Sequence, residues 1–338
     1  MNETRELKRF RRMAWITIAA VYFLILVGAS VRASGAGMGC PDWPTCFGQW
    51  IPPTSEAQLP ANYQQIYADL GYADTRFNVV KTWTEYMNRL VGVSIGFLIL
   101  LTAIYSWSCR YQDRRITVAA VAAFLMVGFQ GWLGAKVVGS NLQPGMITLH
   151  MLMALAIVGT LLYALAQARR GIAAREPVQD IDPGFPLWLR IVLVLTILQV
   201  AMGTQVREMT DFIARDQGEA LRPSWIEAMP WFFYVHRSFS AIVLFANLWM
   251  CWLLIKSLGI GHSLTRMTIA MICVIGLSVL SGATLGHLGM PALAQPVHLL
   301  AATLLFGLQF LIWMTYRHAR HQLSPPGVIE PGETAAAT

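Results

Sequence analysis

The sequence predicts an all-α integral membrane protein, with eight transmembrane helices arranged as two tandem pseudo-symmetric four-helix bundles. Three observations lead there. The chain of 338 residues is 56% hydrophobic and only 13% charged, with a mean hydropathy of +0.51, whereas soluble domains carry about 25% charged residues. Eight apolar runs, each near the ~20 residues that a spanning helix needs, are separated by charge, Gly or Pro. Short stretches at the heads of these runs recur in the second half of the chain.

The runs are Met13 to Val31, Tyr86 to Trp107, Ile116 to Val138, Met146 to Gln167, Leu187 to Val206, Trp231 to Ile255, Met267 to Leu285 and Pro296 to Tyr316. Between them the basic residues alternate in a way that sets orientation. Arg5, Lys8, Arg9, Arg11 and Arg12 precede the first run; Arg110, Arg114 and Arg115 fill the second connection; Arg169, Arg170 and Arg175 fill the fourth. Lys256 and Arg266 flank the sixth connection, and Arg317 and Arg320 follow the last run. With an even number of spans, both termini are expected in the cytoplasm of a cell (inner) membrane protein. The net charge of +7 and pI near 9.3 are explained by this topology, so no nucleic-acid partner is invoked. The first run is read as an uncleaved anchor.

After Arg32 comes a Gly- and Pro-rich loop holding Cys40 and Cys46, which lie on the oxidising side and are close enough for a small disulfide ring, whether structural or redox-active. Cys109, Cys251 and Cys273 read as small buried hydrophobes. The rest of that outer loop, to about Val80, carries Tyr63, Tyr67 and Tyr72 and is expected to form a short surface helix and a lid. The second run opens on Lys81-Thr82-Trp83-Thr84-Glu85-Tyr86-Met87-Asn88-Arg89-Leu90-Val91-Gly92. Ionisable groups are costly in hydrocarbon and mark functional positions; Glu85 and Asn88 share a helix face, with Arg89 one turn past Glu85. The third run holds Gly128, Gly131 and Gly134, spaced for close approach of another helix or a flat ligand.

At the heads of the fourth and eighth runs a Gln-Pro turn is followed by a histidine on the first turns of the apolar helix, His150 and His298. Gln130-Gly131-Trp132-Leu133-Gly134-Ala135 likewise resembles Leu280-Ser281-Gly282-Ala283-Thr284-Leu285, and Val27 to Arg32 resembles Ala201 to Arg207. Phe233-Tyr234-Val235-His236-Arg237-Ser238 repeats the Asn88-Arg89 stretch with His236 in the place of Asn88. The halves are therefore residues 1–168 and 187–317, with a cytoplasmic linker at 169–186 and a tail at 318–338. Four helices per half makes the repeats parallel.

His236 and His298 are expected at one depth on two helices of one bundle, the arrangement that holds a heme iron from both faces. Zinc lacks further ligands at suitable spacing. Four arginines, Arg32 with Arg207 and Arg89 with Arg237, occupy matched outer positions where they either bind heme propionates or snorkel to the interface. His262, His318 and His321 read as solvated on the cytoplasmic side, and His287 as a surface residue. The first half has one clear axial ligand, His150, and the carboxylate of Glu85 where the second half has Phe233. An iron with an open face and a nearby carboxylate makes a reaction site.

From about Trp15 to Tyr316 the chain resembles the heme A synthase family, most specifically in Arg32 through the Cys40-Pro41-Asp42-Trp43-Pro44-Thr45-Cys46 loop, in Lys81 through Gly92, and at the four helix heads. Members oxidise a methyl substituent of heme O to the formyl group of heme A for terminal oxidases. The resemblance implies substrate heme O in the first half, held by His150, a permanent heme b in the second, held by His236 and His298, and an essential glutamate at Glu85. Where that family usually has histidine three residues after the glutamate, this chain has Asn88, which fits an iron held by His150 alone. The family's first cysteine pair is present as Cys40 and Cys46; a second pair found in some members is absent between Arg207 and Trp231.

Partners on this reading are heme O, membrane lipids, a heme O synthase and a terminal oxidase subunit, with the electron donor unassigned and the heme sites toward the outer side. Two rival readings remain open. One is a two-heme membrane electron carrier without chemistry on the porphyrin. The other is a heme transporter or assembly factor.

Overall fold

The computed structural model describes residues 4–176, 178 and 181–320. Among these there are eight helices long and apolar enough to cross a membrane and no named strands. We label them α1 (Arg5–Ala33), α2 (Val79–Ser106), α3 (Arg114–Gly139), α4 (Pro144–Ala168), α5 (Phe185–Gln217), α6 (Trp231–Leu258), α7 (Ser263–His287) and α8 (Ala294–Arg320). Phe23, Phe97, Leu125, Phe245 and Leu280 are exposed on helix surfaces, a distribution that only a hydrocarbon solvent stabilises. The chain is an integral membrane protein.

Every span lies where the apolar runs put it, but several helices are longer. α1 starts at Arg5 because the Thr4 hydroxyl accepts from Leu7 N at 3.4 Å, and α2 starts at Val79 because Asn78 Oδ1 accepts from Lys81 N at 3.0 Å. A capping side chain satisfies a backbone donor that has no partner inside the helix, so caps decide the ends while hydropathy locates the middle. α5 continues past Val206 to Gln217 through polar but helix-compatible residues and stops at Gly218, whose φ of 76° lies in the left-handed region.

α1 packs on α2, α2 on α3, α3 on α4 and α4 on α1; the same ring closes through α5, α6, α7 and α8. The rings meet where α8 touches α1 and α4 and where α4 touches α5. We call the end with the start of α1 and the end of α8 the terminal end, and the other the cap end. The apolar cores fill the terminal side. One is built on Phe10, Ile18, Ile99, Ile116, Leu161 and Leu165. The other is built on Phe185, Leu189, Met250, Leu254, Leu264 and Ile312. Neither core includes the helix heads at the cap end, and that is the space in which the polar residues gather.

The long first loop is a folded cap rather than one surface helix. It contains only single turns at Glu56–Gln58, Tyr63–Ile66 and Ala68–Leu70. Its own core is Cys40, Cys46, Phe47, Leu59, Tyr63 and Tyr72, with Phe47 in edge contact with Tyr63, Tyr67, Tyr72 and Phe77. Cys40 and Cys46 form a disulfide. The cap of the second ring has no disulfide; it packs Trp225 with Ile213, Met229, Phe233 and Met290.

Four expectations need correction. His318 is buried rather than solvated, because α8 continues to Arg320 and carries it into the bundle end. His262 Nδ1 accepts from Leu264 N at 3.1 Å and caps α7 instead of facing water. Cys273 is exposed on the outer surface of α7, unlike buried Cys109 and Cys251. Gly128 and Gly131 serve no helix contact, since a Cβ at either would meet nothing within 4 Å. His321 and the rest of the tail lie outside the described residues.

In the second ring a fully buried amide crosslinks three helices: Gln309 Nε2 of α8 donates to Thr196 Oγ1 of α5 at 2.9 Å and to Asn247 Oδ1 of α6 at 2.7 Å. Interhelical hydrogen bonds of this kind each contribute about 0.6 to 2 kcal/mol in membranes. Replacing Gln309 by Leu is expected to lower stability by about 1 kcal/mol, seen as a drop of a few degrees in the thermal midpoint of the detergent-purified protein; an unchanged midpoint refutes the crosslink.

Candidate heme-binding site at the cap end

The first turns of α2 hold a carboxylate that is 4% exposed. Glu85 Oε1 accepts from Arg89 Nε at 2.8 Å, one helical turn on, as an ion pair must when a charge is taken out of water. The same guanidinium reaches away from the helix: its Nη1 donates to the carbonyls of Asp42 and Thr45, both at 2.8 Å, and its Nη2 to that of Cys40 at 3.3 Å. Arg89 thus joins Glu85 to the disulfide ring. Asp42 holds the other side of that ring by accepting from the Thr45 hydroxyl and from the amides of Phe47 and Gly48. Tyr72 donates its hydroxyl to the carbonyls of Met38 at 2.7 Å and Gly39 at 3.1 Å, and burial, with nearby Glu85 as a further cause, pushes its pKa well up, so it stays a donor. The second oxygen of Glu85, Oε2, is buried with no partner.

Asn88 and the three helix-head histidines share one packing device. A Cβ placed on Gly28 of α1 would lie 3.7 Å from Asn88 Oδ1. One on Gly134 of α3 would lie 3.5 Å from His150 Cε1, one on Gly203 of α5 3.3 Å from His236 Cε1, and one on Gly282 of α7 3.0 Å from His298 Cε1. Each of these side chains is seated beside a glycine of the preceding long helix; at Gly203 and Gly282 a Cβ would crowd the imidazole, and at Gly28 and Gly134 it would make an ordinary contact. The register also corrects one sequence match: Gly134 answers Gly282, two residues from the alignment that paired Gly134 with Thr284.

Four residues before three of these glycines stands a hydrogen-bonding partner. Gln130 Nε2 donates to the His150 carbonyl at 3.0 Å, and Gln199 Nε2 to that of His236 at 3.1 Å, the same amide lying 3.4 Å from His236 Nε2. Ser278 O lies 3.0 Å from His298 Nδ1. A carbonyl can only accept, so Nδ1 carries the proton and Nε2 keeps the lone pair that binds iron. Sequence reading passed over Gln199, Ser278 and these glycine contacts; a Gln four residues before a Gly on both α3 and α5 was the available signal.

The chemistry of the site fits a heme. Glu85 Oε2, Asn88 Oδ1, His150 Nδ1 and His236 Nδ1 are all buried without partners, and buried polar atoms in native proteins are satisfied by something. His236 and His298 lie within electrostatic reach of one another. Among the described residues no three His, Cys, Asp or Glu cluster as a metal-only site.

The four arginines are distributed differently. Arg32 Nε and Nη2 donate to Asp211 Oδ2 at 2.9 and 2.6 Å, and Arg207 Nη2 meets Asp211 Oδ1 at 2.7 Å and the Arg32 carbonyl at 3.0 Å. These two converge on one carboxylate because α5 runs a further turn beyond Arg207 and delivers Asp211. Arg89 sits apart at the disulfide ring, and Arg237 is exposed on α6. Sequence reading did not single out Asp211.

Removing the Arg89 guanidinium strands Glu85 and frees three carbonyls at once, a loss of about 3 kcal/mol. Arg89→Met is therefore expected to make the 34–78 cap at least tenfold more sensitive to limited proteolysis, with Arg89→Lys intermediate; equal sensitivity in all three proteins refutes the clamp.

A family model described as COX15-CtaA, Cytochrome oxidase assembly protein, matches residues 11–310. The chain is similar to a protein named Heme A synthase from Shewanella oneidensis, 30% identical over 170 residues, which are 50% of this chain and 49% of that protein. It is similar also to Heme A synthases from Methylobacterium radiotolerans, 30% identical over 184 residues covering 50% and 49% of the two chains, and from Chelativorans sp., 26% identical over 258 residues covering 70% and 71%. The chain thus spans about half the length of the first two of these relatives. The match over 11–310 takes in all four glycine-seated positions and both caps, and the chain belongs to the COX15-CtaA family of cytochrome oxidase assembly proteins.

Proposed function

We propose that the chain is a heme A synthase, an oxidoreductase that converts a methyl group of heme O to the formyl group of heme A for terminal oxidases. The observation that carries this is the row of four glycine-seated residues at the cap end, three of them histidines, beside a buried carboxylate with one unpartnered oxygen. Heme O as substrate occupies the α1–α4 ring with His150 as its iron ligand. His236 and His298 of the α5–α8 ring would hold a permanent heme b, which would supply one-electron transfer. The cap end faces the outside of the cell membrane and both termini the cytoplasm.

The residues divide the work. The Ser278 carbonyl keeps the Nε2 lone pair of His298 free, and Gln199 orients His236. Asn88 offers a neutral amide oxygen, a weaker iron ligand than imidazole, so it would leave room for an oxidant beside the substrate heme. Glu85, held by Arg89 through Oε1, keeps Oε2 available to take a proton or to stabilise positive charge developing on the porphyrin edge. Arg32 and Arg207, already gathered around a carboxylate, and Arg89 and Arg237 supply guanidinium donors for propionates. In the second ring Phe233 stands where Glu85 stands in the first, and it is buried in the cap core, which gives the first ring the chemistry and the second the electron transfer. A heme O synthase upstream, a terminal oxidase subunit downstream and an electron donor are the expected partners.

Co-expression with a heme O synthase in a host lacking heme A, followed by identification of the extracted hemes, tests the proposal. Heme A or its hydroxylated intermediate beside heme b is expected. Glu85→Ala is expected to abolish product while heme b stays bound, and His298→Ala to lose heme b. Heme b alone, with heme O untouched by the wild-type protein, overturns the proposal in favour of the two-heme electron carrier.

A further inference from the structure

Tyr86, Leu90, Val93, Phe97, Leu101 and Ile104 recur every three or four residues along α2, so they form one stripe of that helix. All of them after Tyr86 are exposed, which makes this the lipid-facing side; Glu85 and Asn88 fall off the stripe. From Tyr86 the helix runs roughly 20 residues, about 30 Å, to its end at Ser106, which is the thickness of a hydrocarbon core. Tyr86 therefore stands at the cap-end boundary of the membrane, with Trp83 one turn above it. Aromatic side chains gather at this level.

The first loop comes down to the same level. Cys46 and Gln49 exchange backbone hydrogen bonds at 2.9 and 3.2 Å beside the disulfide, and the chain leaves them as a strap, Trp50-Ile51-Pro52-Pro53. The Tyr86 hydroxyl donates to the Trp50 carbonyl at 2.7 Å, and Trp83 Nε1 donates to the Pro53 carbonyl at 3.3 Å. Both ends of the strap are thus pinned to the boundary residues of α2. Pro52 and Pro53 are buried, whereas Trp50 and Ile51 are 71% and 70% exposed.

The second ring has the same aromatic pair and no such strap. On the register that matches Asn88 with His236, Trp83 and Tyr86 answer Trp231 and Tyr234. Trp231 and Tyr234 are 75% and 49% exposed. Trp83 and Tyr86 are half-buried, Tyr86 against the core of the cap. In the first ring the strap covers the pair and carries its own Trp and Ile to the outside instead.

We propose that Trp50 and Ile51 anchor the first cap in the lipid interface of the cap-end leaflet. An indole combines a large apolar body with one N–H donor and so favours the boundary between headgroups and acyl chains, and Ile51 adds apolar area beside it. The occupant is the bilayer because the patch continues the lipid-facing stripe of α2 at the depth where that stripe meets water. The anchor bears on the site through the chain: the strap leaves the same disulfide ring whose carbonyls Arg89 holds, so the membrane and Arg89 fix that ring from two sides. No bound heme is needed for this contact.

Ile51→Cys and, as a reference at an exposed position elsewhere in the cap, Ala57→Cys are made with exposed Cys273 changed to Ser. The full-length proteins are spin-labelled and placed in phospholipid nanodiscs. Collisions with oxygen, which concentrates in lipid, are compared with collisions with a water-soluble nickel chelate. The label at 51 is expected to give an oxygen-to-nickel ratio roughly fivefold above that at 57, and Trp50→Asp beside it to lower that ratio about twofold or more. An unchanged fragment pattern in limited proteolysis of the detergent-purified proteins reports that the cap is folded in each variant. A label at 51 as open to nickel as the label at 57 overturns the proposal and leaves the patch to a protein partner. A ratio at 51 that does not respond to Trp50→Asp overturns Trp50 as the anchor.

Discussion

A carboxylate inside an apolar bundle must be given a partner, and in this protein the whole cap end is arranged by the partner chosen. Arg89 neutralises Glu85 from one turn away and spends its remaining donors on three carbonyls of the disulfide-closed loop. Lysine could not do this, because only a guanidinium offers five donors in a fixed fork. The disulfide ring, the Asp42 turn and the aromatic cluster around Phe47 then act as a rigid lid support for one side chain. Loop and site are a single structure, which is why a stretch without long helices is nevertheless ordered over the bundle mouth.

The second constraint is geometric. Long side chains at the helix heads need room beside the neighbouring helix, and at the tightest contacts a Cβ would displace them. Glycine on the neighbouring helix gives this room to His236 and His298, where a Cβ would come within 3.3 and 3.0 Å, while Gly28 and Gly134 adjoin Asn88 and His150 at ordinary contact distance. A glycine inside a helix costs about 1 kcal/mol relative to alanine, and at Gly203 and Gly282 that cost leaves the neighbouring imidazole its room. The apolar cores sit below this level and supply the stability that the mouth does not.

The two rings share one layout and differ at the cap end. The first has a buried carboxylate and a disulfide cap; the second has Phe233 and a Trp225-centred apolar cap. Between them, Arg32 and Arg207 converge on Asp211 and tie the cap ends of α1 and α5 to each other. Thr148 and Thr204, 2.7 Å apart, add a second tie between the rings.

Much was legible in the chain itself. Hydrophobic runs fixed the number and place of the spans, since only a ~20-residue apolar helix satisfies its backbone in a bilayer, and the isolated Glu85, His150, His236 and His298 stood out because polar groups there demand a reason. The Cys40–Cys46 pairing followed from spacing and side of the membrane. What the tertiary structure decided was pairing across helices. No local pattern tells that Arg89 serves a loop some 45 residues earlier, that Arg207 shares Asp211 with Arg32, or that Gly134 faces His150 while Gly131 faces nothing. Helix ends also had to be seen, because a single cap at Thr4 or Asn78, or a left-handed Gly218, outweighs composition. Hydropathy acts through the solvent and leaves its mark along the chain, whereas contacts between helices depend on rotation and depth, which only the folded packing sets.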